Sequence, residues 1–103
     1  METGNKYNIY IGLLKSDMKT LLNAESVLKL VVKQLNNIKV LGFNVEKLNG
    51  FWNGKPEPCL KLSFINTFGV KTKDILKMLN GLKIELKQES ILIELEQVQF
   101  EFF

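Results

Sequence analysis

The chain has 103 residues, 46% of them hydrophobic and 24% charged, with a net charge of +3. That length holds one hydrophobic core, because chains divide into several only beyond about 250–300 residues, and the composition is that of a folded globular domain. All 14 basic residues are lysine, which excludes the planar, bidentate grip of arginine on phosphate, carboxylate or guanine, and so mild a net charge does not mark a nucleic-acid footprint.

No apolar run approaches the ~20 residues of a membrane helix, and residues 1–6 lack the basic-then-apolar pattern of a secretory leader. The one cysteine, Cys59, cannot close an internal disulfide and fits a reducing compartment. A cytosolic protein with no membrane association is expected.

Along the chain, Tyr7, Ile9, Ile11 and Leu13 alternate with Asn8, Tyr10 and Gly12, the period of a half-buried strand. Asn23 stands where an N-cap belongs, and Ala24, Val27, Leu28, Val31, Val32 and Leu35 then recur at helical spacing, so one face of a first helix is buried. Asn36 and Asn37 weaken that helix. After Gly42, the segment Phe43-Asn44-Val45-Glu46-Lys47-Leu48 alternates as a second strand.

Two Asn-Gly pairs compete for the next turn, Asn49-Gly50 and Asn53-Gly54, and either supplies the positive φ angles of a type I′ hairpin. Cross-strand pairing decides for Asn53-Gly54, which sets Phe43 against Phe64, Val45 against Leu62 and Glu46 against Lys61. The third strand is expected over about 59–65, with Pro56 and Pro58 outside the fully paired region because they cannot donate to a ladder. A second helix follows, with Ile75, Met78, Leu79, Leu82 and Leu86 on one stripe and Gly81 as its weak point. The last strand alternates as Ile91, Ile93, Leu95 and then as Val98, Phe100, Phe102. That change of parity predicts a β-bulge near Glu96-Gln97, or else a strand covered on both faces by a partner subunit.

The order βαββαβ predicts an α+β, ferredoxin-like fold: an antiparallel sheet with two helices on one face and the first and third strands central. The other face stays open, with Asn8, Tyr10, Asn44, Glu46, Lys61 and Ser63 turned to water.

Catalytic patterns are sparse. There is no histidine, which removes Ser-His-Asp and Cys-His arrangements and the commonest neutral metal ligand. One cysteine builds no thiolate zinc site, and Cys59 beside two prolines reads as a small, half-buried, inert residue. Glu94 and Glu96 share a face of the last strand, with Glu85 and Glu89 flanking the end of the second helix. Paired carboxylates can do acid–base work when one is desolvated, but on an edge strand they read as charges that discourage aggregation. No Gly-Lys-Ser/Thr phosphate loop occurs.

Three stretches, Ile9-Tyr10-Ile11-Gly12-Leu13, Gly42-Phe43-Asn44-Val45 through Gly50-Phe51-Trp52, and Gln88-Glu89-Ser90-Ile91-Leu92, resemble the pattern of a family of short bacterial and bacteriophage proteins of unknown function. Bacterial members often carry glycine before the Gln-Glu-Ser, where this chain has Lys87. The resemblance implies the fold, and its lysine- and asparagine-rich character suggests a viral or mobile-element genome. The first strand, Asn8-Ile9-Tyr10-Ile11-Gly12-Leu13-Leu14, is also similar to the first ribonucleoprotein motif of RNA-recognition domains.

The expectation from sequence is a small non-enzymatic interaction protein without cofactor or metal. It would bind, and inhibit, a host protein such as an immune effector, or pair with a second copy of itself. Its contact residues would be Phe51, Trp52, Lys55, Glu94, Glu96 and Phe103, because aromatics anchor interface centres. Single-stranded RNA binding through Tyr10 and Lys61 is the alternative, although the third strand offers no second aromatic for stacking. A homo-oligomer holding a small ligand on its open face is a third reading.

Overall fold

A computed structural model describes residues 1–17 and 19–103. The elements run β1 (Glu2–Gly12), α1 (Ala24–Asn37), β2 (Asn44–Trp52), β3 (Lys55–Ile65), α2 (Thr72–Glu85) and β4 (Leu92–Phe100). The sheet order is β2-β3-β1-β4, antiparallel throughout. This is the ferredoxin-like arrangement read from the apolar spacing, with β1 and β3 in the middle.

The period-2 pattern of β1 sends Tyr7, Ile9 and Ile11 to the helix-covered side, where Leu60, Leu62 and Phe64 of β3 meet them. Tyr7 stacks on Phe64 with ring centroids 5.3 Å apart, and its hydroxyl reaches the Thr72 hydroxyl at 2.8 Å. Val27, Val31 and Leu35 of α1 and Ile75, Met78, Leu79 and Leu82 of α2 close the core from above. Asn23 caps α1 by accepting a hydrogen bond from the Ser26 amide at 3.0 Å, satisfying one of the free donors of the first turn.

The β2–β3 hairpin turns at Asn53 (φ 50°) and Gly54 (φ 74°), both in the left-handed region that a type I′ turn requires. Val45 faces Leu62 and Glu46 faces Lys61, as the pairing argument predicts. Phe43 lies just before β2. The strand β3 begins earlier than expected, because both prolines are paired: Pro56 opposes Phe51 and Pro58 opposes Asn49. Counting out from a two-residue turn, these are the positions whose backbone groups point away from the partner strand, so β2 never asks proline for an N–H. The Pro58 carbonyl points the other way and accepts from the Leu13 amide at 2.9 Å.

Two further expectations need correction. No bulge interrupts β4, which pairs with β1 in continuous register from Leu92 opposite Tyr10 to Phe100 opposite Glu2. Its parity is therefore constant, and Leu92, Glu94, Glu96, Val98 and Phe100 all lie on the open side. Phe100 accordingly rests over Gly4 and edge-on to Phe102 rather than in the core. The same pairing extends β1 back to Glu2, through a polar stretch with no apolar alternation to reveal it. The open face is also less wet than predicted: Asn44 and Glu46 are exposed, but Asn8 and Ser63 are buried at 2% and 8% exposure.

Candidate functional site

The fold brings parts of the three singled-out stretches to one place: the end of the first, Gly50-Phe51-Trp52 of the second, and the third. Where β1 ends, a cleft of about 360 Å³ opens on the uncovered side of the sheet. Tyr10 and Gly12 of β1 and Cys59 of β3 form its floor, and Gly50, Phe51 and Trp52 of β2, with Glu57 of β3, form the hairpin wall. The turn between α2 and β4 supplies Gln88, Glu89 and Ser90, continued by Ile91 and Leu92, and the β1–α1 connection adds Leu14, Lys15 and Ser16.

Glu57 is the central charge. Burial raises its carboxyl above the usual carboxylate range, opposed in part by the polarity of the Leu14 backbone amide. It folds across Gly12, where an added Cβ would stand 2.7 Å from the Glu57 Cδ. A side chain at position 12 would make the Glu57 carboxylate shift from this place. Burial, and secondarily the charge of Glu57, pushes the Cys59 thiol up as well, so it stays protonated and non-nucleophilic.

The walls of the cleft are held from several sides. Gln88 Nε2 donates to the Leu14 carbonyl at 2.7 Å, and the Ser16 amide donates to the Lys87 carbonyl at 2.9 Å. Lys87 itself takes the left-handed conformation (φ 54°), and the Gln88 amide donates back to the Lys83 carbonyl at 2.9 Å. The left-handed helix cap thus forms with lysine at a position where glycine is the usual choice. Asp17 accepts from the Thr20 hydroxyl at 2.6 Å and from the amides of Lys19 and Thr20 at 2.9 Å, which lowers its carboxyl to about 2.

Of the residues singled out from sequence, Phe51 and Trp52 line the cleft, with Phe51 75% exposed at its rim. Lys55 opposes Trp52 across the hairpin turn. Glu94 and Glu96 sit together on the open face beyond the cleft: Glu94 faces Asn8 across β1, and Glu96 accepts from Asn8 Nδ2. The neighbouring Glu94 carboxylate is the foremost cause that raises the Tyr10 hydroxyl, ahead of burial. Phe103 projects fully exposed, away from the other five. As for the RNA alternative, the Lys61 ammonium lies 5.6 Å from the Tyr10 ring centroid, a cation–π contact that covers one face of the ring. Sequence reasoning passed over Glu57 and gave Gln88 no role. The signal for Glu57 was its place between two prolines, which fixes its side of the hairpin.

Among the described residues, no cluster of three His, Cys, Asp or Glu side chains could hold a metal, and no helix is long and apolar enough to cross a membrane.

No family model matches the chain, and no curated protein matches its sequence. Solved structures do match its ferredoxin-like, PII-like architecture. A phage SAM lyase in the apo state is similar with a TM-score of 0.72 and 20% identity, over 100% of this chain and 98% of that one. A phage SAM lyase in complex with S-methyl-5′-thioadenosine is similar with a TM-score of 0.65 and 19% identity, over 97% and 92%. CPII, a nitrogen regulatory PII-like protein from Thiomonas intermedia K12 bound to ADP, AMP and bicarbonate, is similar with a TM-score of 0.56 and 16% identity, over 98% and 96%.

At these identities the likeness carries the fold. It also corrects the expectation of a non-enzymatic protein: structures matching nearly the whole chain, over nearly their own full length, include a lyase, so small size does not exclude catalysis in this architecture.

Proposed function

We propose that the chain is a phage-type enzyme that cleaves S-adenosylmethionine in the cleft around Glu57, releasing S-methyl-5′-thioadenosine. The observation that carries this reading is the pairing of one half-buried carboxylate with the aromatic residues Tyr10 and Trp52, and Phe51 at the rim, in a cleft with an apolar far wall. The likeness to the phage SAM lyase structures supports it.

The substrate's chemistry fits what the chain possesses and lacks. A sulfonium sulfur is its own leaving group: when the bond from sulfur to the methionine Cγ breaks, the electron pair stays on sulfur and a neutral thioether departs. No nucleophilic side chain and no metal need activate it. The four-carbon remainder either closes on its own carboxylate as a lactone, with no proton moved, or loses a proton to a base and leaves as an unsaturated amino acid.

Positive charge disappears from sulfur in the transition state, so a carboxylate placed against sulfur would stabilise the substrate more than the transition state. Glu57 therefore belongs on the ammonium group of the amino-acid end, which keeps its charge throughout, with Glu89 nearby. The aromatic wall takes the adenosine face, and Leu14, Ile91 and Leu92 keep water from the sulfur. The charge of the cleft discriminates against an adenine-nucleotide reading. Polyphosphate would meet Glu57 and Glu89 against Lys15 alone, with no arginine.

Consumption of a methyl donor inside a host cell would also give the chain its phage role against host defence without direct binding of a host protein. Incubation with S-adenosylmethionine and chromatographic detection of S-methyl-5′-thioadenosine tests the proposal. Time-dependent product is expected, with at least roughly a tenfold loss in Glu57→Gln, about what removal of one charge-assisted hydrogen bond costs. Absence of both turnover and binding by the wild-type chain overturns it.

A further inference from the structure

Two glycines flank Glu57, one on each neighbouring strand. Gly50 of β2 stands directly opposite it, and Gly12 of β1, the partner of Cys59, is its diagonal neighbour. An added Cβ at Gly50 would meet only the Glu57 carbonyl oxygen, at an ordinary 3.5 Å. At Gly12 it would collide with Glu57 Oε1 and stand 2.7 Å from Cδ and 3.0 Å from Oε2. The carboxylate therefore leans toward β1 and lies against the bare backbone of Gly12. Nothing in the chain path asks for glycine there: Gly54 and Gly69 are the glycines in the left-handed region, whereas Gly12 is strand that any residue can adopt. Glycine inside a strand costs backbone entropy and marks a close approach by another group. At Gly12 that group is the Glu57 carboxylate.

We propose that Gly12 is a positioning residue: by leaving out a side chain at the end of β1 it lets the Glu57 carboxylate lie down on the cleft floor, facing the cationic end of a ligand. The ligand half of this inference rests on the proposed reaction; the seating of Glu57 on Gly12 does not. What must give way to a methyl group at position 12 is the far end of a flexible side chain, not backbone. The carboxylate then swings out toward solvent while the β1–β3 pairing persists, so glycine at this position trades strand stability for placement of a charge. The other titratable groups of the cleft are Tyr10 from β1, Cys59 from β3, Lys15 from the β1–α1 connection and Glu89 from the α2–β4 turn, while β2 presents uncharged Gly50.

The experiment compares the wild-type chain with Gly12→Ala. A melting temperature no lower than that of the wild type is expected; a clear fall, or failure to fold, means that Glu57 cannot give way and overturns the proposal. The side-chain carboxyl of Glu57 is then followed by NMR through an acid titration. Burial raises it in the wild-type chain, so release into solvent moves its midpoint to lower pH, while that of Glu89 shifts less. An unmoved or higher Glu57 midpoint in the folded variant overturns the proposal, whatever the ligand proves to be.

Binding then separates the two readings. Gly12→Ala is expected to weaken S-adenosylmethionine roughly three- to tenfold, to leave S-methyl-5′-thioadenosine, which lacks the ammonium, nearly unchanged, and to add nothing in a Glu57→Gln background. Equal loss for both ligands, or a further loss in that background, means that the methyl group obstructs the cleft itself and rejects the route through Glu57. Failure of the wild-type chain to bind either ligand rejects the proposed reaction, and the titration then decides the role of Gly12 by itself.

Discussion

The two faces of the sheet are built from alternate residues of the same strands, yet they do different work. Toward the helices, Tyr7, Ile9, Ile11, Leu60, Leu62 and Phe64 form a continuous apolar layer. On the open side, Asn8 is buried with its Oδ1 unpartnered, Tyr10 sits under a lysine, and Gly12 yields its space to a carboxylate. The first face is what folds the chain, because apolar burial grows with area and asks little of geometry. The second carries unpaired and desolvated polar groups that cost stability, as binding sites do.

The most direct way to break this contrast is a pair of neighbours on one strand. Ile9→Ala should lose about 3 kcal/mol of stability in a denaturant titration, because it leaves a cavity at a fully buried site. Tyr10→Ala should lose under about 1 kcal/mol there, as near-surface changes do, while abolishing most ligand binding. Equal stability losses would show that the open face also holds the fold together.

Smaller effects sharpen the comparison outside the sheet. Gly81 lies inside α2 with open space where a Cβ would be, so Gly81→Ala should gain about 0.8–1 kcal/mol. Lys87→Gly should gain up to about 1 kcal/mol by relieving its left-handed conformation. Thermal unfolding of each variant checks both, and a loss at position 81 would mean that the helix backbone there is approached by something else.

The smallest effect is the most informative about the site. Burial raises the Glu57 carboxyl, so its ionised form is less favoured folded than unfolded. Its destabilising contribution is present at pH above the raised folded value and fades as pH falls below the ordinary one. Glu57→Gln should therefore raise the melting temperature slightly at neutral pH, by less at acid pH, while lowering activity. A lower melting temperature would place Glu57 among the structural residues.

The core and the hairpin register were legible because periodicity and turn chemistry are local. Val27, Val31 and Leu35 announce a buried helical face, and Asn53-Gly54 fixes every pairing that follows. The apparent parity change after Leu95 misled because it assumed one apolar face per strand, whereas β4 keeps its register and turns Val98 and Phe100 to the open side. The cleft was illegible for a different reason: Gly12, Glu57 and Gln88 are far apart in sequence and become one site only when the hairpin and the α2–β4 turn meet the end of β1. The absence of histidine excluded particular nucleophile arrangements, and extending that to all catalysis overlooked substrates that bring their own leaving group.

The paired prolines of the hairpin have one more effect. Beyond the end of β1, the outer margin of β3 would otherwise offer free amides to any passing extended chain. With Pro56 and Pro58 at every outward-pointing position there, that margin has no donor to give. The arm that frames the cleft can therefore stand clear of the body of the sheet without seeding intermolecular strand addition.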